Sequence, residues 1–186
     1  PFYKPFILEV PDNWSWDTYY NLPIDEMVQL MDYAIENGYS VAWAADISEK
    51  GFSWKDGVAI VPEKDFTEMS DAEVSKWENL PDSKKEEGLY AFDKPGKEKN
   101  ITQDMRQVDF DNYQTTDDHG MHITGIANDQ NGTKYYYVKN SWNIDEEKGY
   151  MGYFYASEAY VRYKTLDIMV HKDAIPKDLK KKLNIQ

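Results

Sequence analysis

The chain has 186 residues, enough for one ordinary domain, and its 21 basic and 34 acidic residues give a formal net charge of −13. This acidic surplus argues against a nucleic-acid partner, because neutralising phosphates requires Lys and Arg in excess. The chain contains no cysteine, which excludes a disulfide framework, a thiolate metal site and a thiol nucleophile on these residues. It also has no run of 18 apolar residues, so we expect no membrane-spanning helix.

The net negative charge of the chain comes entirely from its first half. Residues 1–93 contain 7 basic and 20 acidic side chains, whereas residues 94–186 contain 14 of each. Two interpretations remain open. The charge either forms a solvated surface that aids solubility, or it creates a field that attracts cationic peptides or amines.

The first predicted elements are an extended segment and a helix. Residues 1–21 mix aromatic and polar residues without a clean period, which indicates an extended segment docked on the rest of the protein. A helix is predicted over residues 23–37, because Pro23 and two acidic residues suit a helix N-terminus and Gly38 suits a C-terminal cap. A short buried strand is predicted next, at residues 40–45. The predicted apolar face of the helix follows helical spacing and consists of Ile24, Met27, Val28, Met31, Ala34 and Ile35.

Residues 46–100 are mostly polar and charged. Within them, a short strand is predicted at 57–62 and an amphipathic helix at 70–80. Residues 81–100 read as a long surface loop, a length that is usually functional, disordered or an insertion. A short helix followed by extended chain is predicted over 101–113.

From residue 121 onward the pattern is typical of antiparallel strands. Asn131-Gly132 is a strong hairpin signal between strands predicted at 121–128 and 133–140. The order of elements predicts an α+β fold with a β-rich lobe over residues 114–172. Residues 1–113 would lead into this lobe, and 173–186 would form a basic C-terminal helix and tail. The remaining predicted elements are a turn at Lys148-Gly149, strands at 150–155 and 165–171, and short helices near 157–162 and 176–183.

Three histidines are the candidates for chemistry. A zinc site at Asp117, Asp118, His119 and His122 is disfavoured, because the two histidines lie on opposite faces if the segment is a strand. The alternative is acid–base chemistry, in which an asparagine fixes the tautomer of a histidine. Pairing of the two strands around the hairpin brings Asn140 near His119, although a loop histidine and a turn asparagine remain the plainer interpretation.

Two motifs favour the acid–base interpretation of His119 and Asn140. Asp118-His119-Gly120-Met121, followed by Lys139-Asn140-Ser141-Trp142, resembles the histidine and asparagine motifs of papain-like cysteine peptidases. The later Gly149–Phe154 segment is similar to the Gly-x-x-Gly-Tyr segment of that family, although Asn143 stands where glycine is usual. The finer resemblance is to the aminopeptidase C and bleomycin hydrolase group. It is carried by residues 21–25, 37–43, 106–112, 115–121, the Asn-Ser-Trp segment at 140–142, and 172–176.

The resemblance implies a role for each motif residue. His119 would act as general base and then general acid, and Asn140 would orient its imidazole. Trp142 would shield their hydrogen bond from water, and Asp118 would modulate the titration of His119. His122 matches no catalytic position and is expected to be structural, as is His171, which ends a predicted strand in the C-terminal stretch. No cofactor and no metal ion are implied.

The family's nucleophilic cysteine precedes the histidine by roughly 130–150 residues or more, whereas 118 residues precede His119 and none is cysteine. We therefore expect this chain to be the C-terminal part of a papain-like cysteine aminopeptidase, inactive by itself. Its expected partners are peptide substrates and the missing N-terminal lobe. The resemblance also implies a cytoplasmic homo-hexamer.

A further implication concerns the chain end, because the carboxylate of Gln186 would bind the α-amino group of the substrate if Gln186 is the natural C-terminus. The alternative function is a non-catalytic β-rich module that binds peptides or scaffolds an assembly.

Overall fold

The computed structural model describes residues 1–63, 90, 92–142 and 150–185, together with Ala72, Ser75 and Asn79. These residues form a mixed α+β fold, as the sequence predicts, built around a sheet of seven strands and a separate two-stranded hairpin. In chain order the elements are β1 Pro5–Ile7, β2 Thr18–Tyr20, α1 Ile24–Glu36, β3 Val41–Ala45, β4 Phe52–Ser53, β5 Val58–Ala59, α2 Gln103–Asp111, β6 His119–Asn128, β7 Lys134–Lys139, β8 Tyr153–Ser157, α3 Glu158–Lys164, β9 Thr165–Val170, a 3₁₀ turn Lys172–Ala174 and α4 Lys177–Leu183.

The strands of the large sheet follow the order β4-β5-β8-β7-β6-β3-β9. All neighbouring strands are antiparallel except β5 and β8, which run parallel. Strands β3, β4 and β5 come from the first 113 residues, so the segment that precedes the histidine motif contributes to the same sheet as the residues after it.

The first helix begins and ends where its residues predict. Pro23 is the N-cap residue, and Gly38 follows the C-cap Asn37 with a φ of 81°, a conformation that glycine adopts without steric cost. The helix buries its apolar face in the main core, against which the partly buried Ile35 also packs, whereas Leu30 packs with Leu179 and Leu183 of the C-terminal helix. The buried residues of α1 are Ile24, Met27, Val28, Leu30, Met31 and Ala34.

The core lies between this helix and the sheet, and large aromatic side chains fill much of it. Trp43 in β3, Tyr136 in β7 and Tyr160 in α3 are each at most 1% exposed. The polar ends of the first two are also satisfied: Trp43 Nε1 donates to Thr165 Oγ1 at 2.8 Å, and Tyr136 Oη donates to an oxygen of Asp32 at 2.7 Å. Aromatic residues with paired polar ends thus compensate for a modest apolar content.

The hairpin of β6 and β7 forms around the predicted turn, with Gly132 at a φ of 85°. Its register shifts between Ile123 and Gly125, so that β6 holds one extra residue, Thr124. The Thr124 hydroxyl donates to the carbonyl of Tyr137 at 3.2 Å. This irregularity is a β-bulge, which bends a strand and increases its twist.

Several predicted elements differ in extent. Residues 1–21 contain the β1–β2 hairpin rather than a single extended segment. The strand predicted at 57–62 is limited to Val58–Ala59, and the N–H of Ile60 donates to the carbonyl of Gly51 just beyond it. The predicted helix at 70–80, the turn at 148–149 and much of the loop at 81–100 lie outside the described residues. Within the part of the chain that is described, no helix has the length and apolar character needed to cross a bilayer.

Candidate active site

Strand pairing brings His119 and Asn140 together. His119 is the first residue of β6 rather than a loop residue before it, and Asn140 directly follows β7. Because His122 pairs with Lys139, the start of β6 lies beside the end of β7. His119 Nε2 and Asn140 Oδ1 are 2.7 Å apart, within hydrogen-bond distance.

The contacts of Asn140 fix the protonation of the imidazole. The N–H of Ser141 donates to Asn140 Oδ1 at 2.7 Å, which identifies this atom as the amide oxygen and therefore as an acceptor. His119 Nε2 must then carry the proton that it shares with this oxygen. In the neutral ring the lone pair belongs to Nδ1, and this nitrogen can accept a proton from a reacting group.

Asn140 is held rigidly. Its side chain is buried, and its backbone N–H donates to the carbonyl of Gly152 at 2.9 Å. Its side-chain nitrogen Nδ2 is also buried and has no hydrogen-bond partner among the described residues. A buried amide nitrogen without a hydrogen-bond partner costs free energy of folding. Such a group beside a histidine is typical of a functional position.

An aromatic cluster covers this pair. The ring of Trp142 lies 5.1 Å from the imidazole of His119, measured between centroids, while 40% of the Trp142 side chain remains exposed. Trp54 and Phe52 contact Trp142 edge-on, at centroid distances of 5.4 and 6.0 Å, and both rest on the buried Phe154. The cluster holds Trp142 over the histidine and limits the approach of water from that side.

Phe52 and Trp54 were missed by the sequence reasoning. They lie in the polar stretch after residue 46, and two aromatic residues separated by one position in such a stretch are the signal that could have identified them. Their contact with Trp142 spans about ninety residues of sequence, which no local pattern can reveal.

A groove of about 450 Å³ lies on the sheet face that carries Gly120 and His122 in β6 and Met169 in β9, and Asn140 and Ser141 also line it. His119 does not line this groove, because alternation along β6 turns the side chains of His119 and His122 to opposite faces of the sheet.

Comparison with known proteins assigns this arrangement to a family. A family model described as the Peptidase C1-like family matches residues 72–186, which is more than half of the chain. The chain belongs to the Peptidase C1-like family. Both motifs that resemble the papain-like peptidases fall inside the matched region, together with β6 and β7.

Two relatives extend this finding. The aminopeptidase C of Lactobacillus helveticus is 25% identical to this Peptidase C1-like chain, and the match covers 97% of this chain. The crystal structure of PepW from Lactobacillus rhamnosis HN001 shares the fold, with a TM-score of 0.62 and 19% identity over 99% of the chain. The chain spans about a third of the length of each relative.

Two acidic residues near the His119–Asn140 pair, Asp118 and Asp46, accept hydrogen bonds and also affect each other's ionisation. Asp118 accepts a hydrogen bond from the N–H of Ile47 at 2.9 Å. Burial raises the pKa of the Asp118 carboxyl, and repulsion from Asp46 adds to that rise. Burial also acts to raise the pKa of Asp46, but hydrogen bonds from Thr116 and Ser48 lower it below its ordinary value. The modulation of His119 by Asp118 stays a prediction.

The other candidate residues lie apart from the pair. The exposed His122 has its Nε2 atom 2.7 Å from the hydroxyl oxygen of Ser40. His171 stacks on Tyr39 at a centroid distance of 5.3 Å and accepts a hydrogen bond from the N–H of Asp173. Among the described residues, no group of three or more His, Asp or Glu side chains has the arrangement of a metal site. Asn143 and Gln186 lie outside the described residues, so the predicted role of Gln186 remains a prediction.

Proposed function

We propose that this chain is the histidine- and asparagine-bearing part of a papain-like cysteine aminopeptidase whose nucleophilic cysteine lies elsewhere in the polypeptide. The observation that carries the proposal is the 2.7 Å contact between His119 Nε2 and Asn140 Oδ1. Membership of the Peptidase C1-like family and the similarity to an aminopeptidase C support it.

In the proposed reaction, His119 Nδ1 removes the proton from the cysteine thiol, and the thiolate attacks the carbonyl carbon of the first peptide bond. Asn140 holds the protonated Nε2 and so stabilises the imidazolium that forms. The imidazolium then donates its Nδ1 proton to the leaving amine, which departs as the acyl-enzyme forms. Water, deprotonated by the same nitrogen, hydrolyses the thioester and releases the N-terminal amino acid.

The test is substitution of each residue in the full-length enzyme, with an N-terminal amino-acid arylamide as the substrate. His119→Ala removes the acid–base group and should lower kcat by about 10³-fold or more. Asn140→Ala leaves the imidazole present but poorly oriented, and we expect a loss of about 10–100-fold.

His122→Ala is the matched control, because it removes an imidazole three residues away that contacts Ser40 instead of Asn140. Its activity should stay close to that of the parent enzyme. Equal activity of the parent enzyme and its His119→Ala variant would refute the proposal and favour the alternative, a non-catalytic peptide-binding or assembly module.

A further inference from the structure

An apolar cavity lies beside β9, at the edge of the large sheet. It has a volume of about 640 Å³ and is enclosed by the β1–β2 hairpin, α1, α2, β9 and α4. This volume is within the usual range for sites that bind small organic molecules. The apolar side chains that line it include Phe6, Leu8, Met27, Phe110, Leu166 and Ile168.

Arg106, from α2, also lines this cavity. Its Nη2 donates to the carbonyls of Thr165 at 2.6 Å and Leu166 at 3.5 Å. Its Nε is buried and has no acceptor among the described residues. Burial lowers the pKa of the Arg106 guanidinium, but an arginine stays protonated in proteins. The cavity wall therefore contains a permanent positive charge.

Two other cations at least partly removed from solvent have carboxylate partners. Lys164 Nζ lies 2.6 Å from Glu49 Oε1, and Arg162 Nε lies 2.7 Å from Glu158 Oε1. Arg106 differs, because its described hydrogen bonds go only to neutral carbonyl oxygens. Two carbonyls satisfy one nitrogen but do not neutralise the charge. A buried charge without an opposite charge is costly to the fold, so the site is suited to an anionic guest.

Two further charged residues reach the cavity, and neither supplies this anion. Lys172 adds positive charge. Burial raises the pKa of Asp167, and repulsion from Asp12 raises it further, which is the opposite of what a neighbouring guanidinium would do. Alternation along β9 turns Asp167 away from Leu166 and Ile168 and towards the groove that Gly120 and His122 line, which Asp167 also lines.

We propose that this cavity binds a monocarboxylic acid with an apolar body. The carboxylate would pair with the positively charged Arg106, and the hydrocarbon part would occupy the space between α1, α2 and the hairpin. Guanidinium groups bind carboxylates with directional, charge-assisted hydrogen bonds. This binding does not depend on the proposed peptidase activity, since it uses none of the residues assigned to catalysis.

The test is calorimetric titration of the full-length protein with decanoate, and with decanamide as the neutral ligand of the same length. We expect decanoate to bind at least about tenfold more tightly than decanamide. Arg106→Gln should abolish this preference and Arg106→Lys should retain part of it. Arg162→Gln is the control, because it removes an arginine that already has carboxylate partners and does not line the cavity. That control should leave the Kd for decanoate unchanged.

A second measurement needs no variant. Intermolecular NMR contacts between the methylene protons of decanoate and the methyl groups of Leu166 and Ile168 are expected if the acid occupies the cavity. Equal affinity for decanoate and decanamide would overturn the proposal. So would a failure to bind decanoate, which is the result expected if another part of the polypeptide fills the cavity.

Discussion

The Asp117→Asn substitution should make the protein more stable at neutral pH. Asp117 lies just before β6 and is partly buried. Burial raises its pKa from the ordinary 3.8 to about 6, and repulsion from Asp12, Asp167 and Asp118 contributes to the rise. The folded protein therefore resists ionisation of Asp117, and an amide of the same shape removes that conflict.

The sign and size of the expected change in the free energy of unfolding follow from the linkage between ionisation and folding. In the unfolded chain Asp117 ionises near pH 3.8, whereas in the folded protein it ionises near pH 6. The contribution of the neutral Asp117 carboxyl to the free energy of unfolding is therefore complete below pH 3.8 and is lost as the pH rises through 6. A difference of this size corresponds to roughly 3 kcal/mol. Because Asp117 is partly exposed, we discount the expected gain for Asp117→Asn at pH 8 to about 1 kcal/mol.

The assay is urea unfolding at pH 4 and pH 8, followed by tryptophan fluorescence. Asp117→Asn should raise the free energy of unfolding at pH 8 and change it little at pH 4. Asp12→Asn, which removes one source of repulsion, should lower the pKa of Asp117 in an NMR titration. If the Asp117→Asn variant and the parent protein differ by the same amount at both pH values, the electrostatic explanation is wrong.

Three further substitutions test other parts of the fold. Trp43→Phe leaves the buried Thr165 hydroxyl without its indole donor and should lower the free energy of unfolding by about 1–2 kcal/mol; an unchanged Tm would contradict this. Lys164→Met leaves two carboxylates without their buried cation, and we expect a loss of about 3 kcal/mol at pH 7, in contrast to the small effect of an exposed lysine. Trp54→Leu removes an aromatic contact to Trp142 and should reduce the kcat of the full-length enzyme about fivefold, with a KM change alone arguing against a positioning role.

Elements with strong local signals could be predicted from the sequence. Pro23 and Gly38 mark the two ends of α1, and Asn131-Gly132 marks the β6–β7 turn. These signals act over a few residues, since they depend on backbone conformations that only certain side chains favour. The proximity of His119 and Asn140 then follows from hairpin geometry, because both residues belong to the same pair of strands.

Contacts between distant segments could not be predicted in this way. Nothing local in β3 indicates that it lies between β6 and β9, or that Trp43 reaches Thr165. The packing of Trp54 on Trp142 and the lack of a carboxylate beside Arg106 depend equally on how separate elements meet. Such features are set by the packing of the whole chain rather than by the propensities of its residues.

The extra residue in β6 decides which histidine can meet Asn140. With Thr124 present, Asn140 falls opposite Met121, and His119, two positions away, points to the same side of the sheet. If the two strands paired without the bulge, Thr124 would lie opposite Val138 and Asn140 would lie opposite His122. The bulge therefore determines that Asn140 meets the partly buried imidazole of His119 rather than the exposed imidazole of His122, without altering either side chain.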